Sequence, residues 1–134
     1  MNLHTLNIWA VIAAAVSAFL IGGLWYSPVL FQRPWMRANR FESADLAHGG
    51  RARTFGLAFL FALVMAIDLA MFLNGPGTTA AWGAAAGGLS ALWVVLAIAT
   101  TALFERRSFS YVAINAGYWF ASFVVMGAIL GAWR

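Results

Sequence analysis

Charged side chains fall in two short stretches, 33–53 and 105–107, and otherwise only at Asp68 and Arg134. Between them the chain runs apolar for about 20 residues or more at a time, four times over, which is the length a helix needs to cross a bilayer. Only 9% of the residues are charged and 63% are hydrophobic, whereas a soluble domain carries roughly 25% charge. No water-soluble core absorbs that excess, so the lipid bilayer is expected to be the solvent. Four spans with short loops fill the 134 residues and leave no room for a second domain. The expected architecture is all-α: a single domain, 1–134, folded as a four-helix transmembrane bundle.

The boundaries follow from caps and breakers. The first span is about 6–26, with Thr5 or Asn7 as its cap. It leads into GGLWYSPVLFQRPW, residues 22–35, where Trp25 and Tyr26 suit a membrane–water boundary and Pro28 stops the helix. Residues 27–53 form the one long loop. Its first half mixes Phe31, Trp35, Met36 and Phe41 with Arg33, Arg37 and Arg40, and suits a short interfacial helix with Pro34 in its first turn. In its second half Ser43 can cap one helical turn ending at Gly49, and Glu42 and Asp45 balance the arginines. The second span is about 55–73, ended by Asn74-Gly75-Pro76-Gly77. The third is about 80–104, capped by Thr78 or Thr79, and the fourth about 109–133.

All eight cations are arginine, a usage that suggests a bacterium. Five lie in the first loop and two in the 105–107 turn, so seven share one side of the membrane. The positive-inside rule makes that side cytoplasmic and both termini extracytoplasmic, in a bacterial inner membrane. The same rule accounts for the basic balance without nucleic acid as a partner. The first segment, MNLHTLN, lacks the charged start of a signal peptide, so the apolar run after it is read as a span. No cysteine is present, which excludes disulfides and thiolate chemistry.

The chain also resembles itself. Residues 8–33 laid on 81–106 match at Trp9/Trp82, Ser17/Ser90 and Arg33/Arg106, and 55–73 laid on 116–134 match at Gly56/Gly117, Phe59/Phe120 and Met65/Met126. This predicts a tandem two-helix repeat with both copies in one orientation. Small residues recur every four positions: Ala10, Ala14, Ala18 and Gly22; Ala58, Ala62, Ala66 and Ala70; Gly83, Gly87 and Ala91; Ala113, Gly117 and Ala121, then Gly127 and Gly131. In lipid such stripes let helix backbones approach closely, within one subunit or between subunits.

Few polar groups lie inside the spans. Asp68 is the one acid there, about 7 Å from the outer end of its helix and almost opposite the Ala66/Ala70 stripe. A charged Asp at the bilayer centre costs about 3 kcal/mol, and less near the interface. The topology puts His4, Asn7 and Arg134 at the same face. Asp68 is therefore read as an interfacial ion pair or hydrogen bond, with Arg134 or with His4 or Asn7, and alternatively as the carboxylate of a transport path. Near the opposite face, Asn115 lies below Tyr118 and Trp119, with Trp25, Tyr26 and Thr100 on neighbouring helices. Tyr26 or Thr100 can satisfy its amide. His4 and His48 lack metal-ligand spacing. No nucleophile–base arrangement, phosphate loop or paired carboxylate is visible, so no catalytic residue and no cofactor is expected.

GGLWYSPVLFQRPW, LVMAIDLAMFL closing the second span, and INAGYWFASFVVMGAILGAW in the fourth resemble the family called domain of unknown function 1761. The resemblance covers essentially the whole chain, with Gln32 standing where a Gly is expected. It implies a four-span membrane protein and supplies no activity. The leading functional expectation is a non-catalytic membrane protein that self-associates as a homo-oligomer or joins a larger membrane complex, on the warrant of its small-residue stripes. The alternative is a small-solute or ion carrier or channel using Asp68.

Overall fold

The computed structural model describes residues 3–47 and 50–134, and its regular elements there are all helical: α1 (Ile8–Trp25), α2 (Gln32–Asn39), α3 (Arg51–Phe72), α4 (Ala80–Phe104) and α5 (Phe109–Ala132), with short 3-10 turns at Leu3–Thr5 and Asp45–Ala47. All but α2 are long and apolar enough to cross a membrane. The chain is a four-helix membrane protein.

Local chemistry sets the helix ends. Asn7 caps α1, its Oδ1 accepting from the N–H groups of Trp9 (3.1 Å) and Ala10 (3.3 Å). Thr79 caps α4 and Ser108 caps α5 in the same way. After α1 the chain turns through Ser27–Phe31, where the Phe31 N–H reaches the Trp25 carbonyl (3.0 Å). Pro34 then sits in the first turn of α2, which requires no N–H from it. Arg40, left-handed at φ 57°, ends α2. Between α3 and α4 the Thr78 hydroxyl donates to the Leu73 and Gly75 carbonyls, and Gly77 takes φ 83°. α3 begins at Arg51, earlier than the apolar pattern implies, because Arg51 and Arg53 can hold helical backbone while their charged ends extend away from lipid. The helical turn expected to end at Gly49 appears as Asp45–Ala47; His48 and Gly49 lie outside the described residues.

α5 is the hub of the bundle. It packs against α4 most closely, then α1, and along α1 the bundle continues to α3. At the α4–α5 contact, glycine meets backbone. A Cβ on Gly83 would run into the Gly127 carbonyl, one on Gly87 into the Phe123 carbonyl, one on Gly127 into the Gly83 carbonyl and one on Gly131 into the Thr79 carbonyl. Ala10, Ala14 and Ala18 of α1 and Ala62, Ala66 and Ala70 of α3 are likewise buried, whereas Ala58 and Ala113 are exposed. Met126, Val11 and Ser122 are the largest fully buried side chains.

The order around the bundle is therefore α4, α5, α1, α3. α3 and α4, although joined by the 73–79 turn, hardly touch. The two halves do not pack alike: α4 and α5 meet through glycines, while α1 and α3 meet through alanines and through Phe19 set edge-on to Phe55 and Phe59. The α1–α5 contact also has no counterpart between α4 and α3, as a tandem repeat about a single axis would require.

Gly127→Ala is expected to destabilise the protein by at least about 2 kcal/mol, because the methyl meets backbone that cannot rotate away. Gly56→Ala, facing open space inside α3, should be neutral or stabilise by up to about 1 kcal/mol. Thermal unfolding of both variants in one detergent checks the contrast.

Candidate functional site

Four of the sequence-selected polar residues come together where α1 ends and α5 begins. The Trp25 indole N–H donates to the Ile114 carbonyl (2.9 Å), and the Tyr26 hydroxyl donates to Asn115 Oδ1 (2.8 Å). The Asn115 amide N–H donates to the Tyr111 carbonyl (2.9 Å), and the Tyr118 hydroxyl donates to the Ala18 carbonyl (2.8 Å). Tyr26 is thus the partner of Asn115; Thr100 instead bonds the Leu96 carbonyl within its own helix. Small residues admit the rings: a Cβ on Gly117 would come within 2.9 Å of the Trp25 ring, and one on Gly22 within 3.2 Å of the Tyr118 hydroxyl. Tyr26 also stands edge-on to Trp35 of α2 (5.5 Å) and to Tyr118 (5.4 Å), so α2 is seated on the same cluster. Every polar atom named here that reaches across has a partner. The arrangement binds α1 to α5.

Asp68 and Arg134 are placed apart. Arg134 lines a small hollow with Thr5, Asn7, Ala70, Leu73 and Asn74, where the Asn74 amide donates to the Thr5 hydroxyl (2.6 Å). Asp68 lines the gap between α3 and α4. The expected pairing of Asp68 with Arg134, His4 or Asn7 is not formed. Ala70 and Leu73 turn toward α1, and Asp68, about 200° around the helix from Ala70, turns away from it. Among the described residues the Asp68 carboxylate has no hydrogen-bond or ion-pair partner.

The gap is a cleft of about 560 Å³, within the range of small-molecule sites. Met65, Phe72, Trp82, Leu89 and Trp93 line its sides and Phe123 of α5 contributes to its lining. Trp93 is 79% exposed, so the cleft opens on the flank of the bundle. Ser90, its other polar side chain, is satisfied by the Ala86 carbonyl of its own helix (2.9 Å). Among the described residues Asp68 is therefore the one charged group in an otherwise apolar, aromatic hollow. Sequence reasoning picked out Asp68 and missed the cleft. The signal was the bulk of Met65, Phe72, Trp82 and Trp93 on the helix faces opposite the small-residue stripes, which keeps α3 and α4 apart.

The model of a protein family described as a protein of unknown function, DUF1761, matches residues 9–131. No curated protein and no solved structure matches the chain.

Tyr26→Phe is expected to cost about 1 kcal/mol by leaving Asn115 Oδ1 unpaired, and Asn115→Leu a similar amount. The double variant should cost less than the two singles together. Denaturation of the four proteins in mixed micelles measures the coupling, and strict additivity would show that the bond is absent in the membrane-embedded protein.

Proposed function

The chain belongs to the DUF1761 family, and we propose that it is a non-catalytic multi-pass membrane protein that holds a small, largely apolar molecule in the α3–α4 cleft. One observation carries this reading: an aromatic cleft of ligand size, open on the flank of the bundle, with a single unpartnered carboxylate. Such hollows with a few polar groups are the usual form of small-molecule sites. Binding there is the first requirement of the carrier reading, in which Asp68 lies on the solute's path. The positive-inside distribution of arginine supports a cytoplasmic membrane of a bacterium, with Asp68 one turn from the extracytoplasmic face.

A second reading, a homo-oligomer or a docked partner subunit, draws on the same opening, which a helix of another chain could fill. The stripes of small residues favour it less, since Ala14, Ala66, Gly87 and Gly127 are already buried within one chain.

Native mass spectrometry of the protein released from its own membrane distinguishes the two. The first reading expects a monomer carrying a small-molecule adduct that is weakened in Leu89→Trp, whose added bulk narrows the cleft. A bare dimer, or an adduct unaffected by Leu89→Trp, would contradict it.

A further inference from the structure

We propose that the molecule taken up by the α3–α4 cleft is an amphiphilic cation, with its positive group at Asp68 and its apolar body running inward along α4. The inference rests on the cleft being a ligand site. The order of groups along the cleft carries it. Asp68 lies one turn before the end of α3, and Trp82 lies in the first turn of α4, so both belong to the end closed by the 73–79 turn. Leu89, Leu92 and Trp93 lie two to three turns further along α4, toward the middle of the membrane, and Phe123 of α5 joins them. Charge at the surface end and apolar rings toward the centre match an amphiphile standing in one leaflet with its head outward.

The sign of the head group follows from what the cleft offers. An ionised carboxylate only accepts hydrogen bonds, and among the described residues no arginine or histidine lines the cleft to neutralise it. An anion would meet uncompensated repulsion. A neutral apolar molecule would leave the carboxylate poorly solvated beside it. A cation gains the ion pair, and Trp82 lines the same end with an indole, the aromatic group that attracts positive charge most strongly. The apolar body then covers Leu89 and Trp93, which otherwise face outward.

The test uses two single-chain amphiphiles with the same tail and opposite heads, decyltrimethylammonium and decanesulfonate, well below micelle formation, with the whole chain in nanodiscs of neutral lipid. Equilibrium dialysis against empty nanodiscs removes the contribution of partition into lipid. The cation should bind saturably, and Asp68→Asn should weaken it at least tenfold while thermal stability stays unchanged, since no protein partner is lost. Leu89→Trp should weaken cation binding, because the larger ring narrows the cleft. Equal binding of both ions, insensitive to Asp68→Asn but weakened by Leu89→Trp, would overturn the charge assignment and leave the cleft as a site for apolar molecules. Binding of neither ion would overturn the inference, and a bare chain in native mass spectrometry would then remove the cleft reading too.

Discussion

Helices in lipid gain little from hiding apolar surface from one another, so their packing depends on how closely their backbones can come. In this chain the limit is set by four glycines. Gly83 and Gly87 on α4 meet Gly127 and Gly131 on α5, with a carbonyl of the opposite helix occupying the space each missing side chain would take. Everything else is arranged around that pair. Because α4 turns its smallest residues to α5, it turns its largest, Trp82, Leu89 and Trp93, to the other side. Because α3 turns Ala62, Ala66 and Ala70 to α1, it turns Met65, Asp68 and Phe72 toward α4. Two bulky faces then confront each other across a turn only a few residues long, and the cleft results. The opening is a consequence of where the close contacts were made.

The α1–α5 contact is held differently. Trp25, Tyr26, Asn115 and Tyr118 each make a hydrogen bond there, while the Ser122 hydroxyl of α5 is buried without a partner among the described residues. Each such bond is worth about 1 kcal/mol or less in a membrane, where the unfolded alternative also finds partners. Together they fix the rotation of α1 on α5 and anchor α2 through Trp35. Edge-on and tilted ring contacts continue from Phe41 through Trp35, Tyr26, Tyr118 and Trp119 to Phe123, which also lines the cleft. The Arg-rich segment and the cleft therefore share one packed framework.

Much of this was legible in the sequence. Asn7 and Thr79, each one of two caps offered by the sequence, mark helix starts because a side-chain oxygen can satisfy the first free N–H groups, and that chemistry is local. The joining of Tyr26 to Asn115 was legible because an amide in hydrocarbon must find a partner at its own depth, and few were on offer. The partner of Asp68 was misread because depth alone does not choose a partner. Arg134 is at a suitable height but on the α1 side of α3, about half a helical turn away from the carboxylate. Likewise, stripes on every helix say that each has a close neighbour without saying which. Which two neighbours are left unpaired is a property of the whole bundle, and the self-similarity of the two halves pointed to a symmetry that their packing does not follow.

The account depends on α4 being locked to α5 while it stands apart from α3. The chain has no cysteine, so introduced pairs report without background. Gly88→Cys with Val124→Cys lies across the α4–α5 contact, where a Cβ on Gly88 would come within 3.5 Å of the Val124 side chain. Met65→Cys with Leu89→Cys lies across the cleft. Under mild oxidation in native membranes the first pair should form an intramolecular disulfide readily and the second should not. Rapid intramolecular oxidation of the second pair, at a rate like the first, would mean that α3 and α4 close on each other and that the cleft is absent in the membrane.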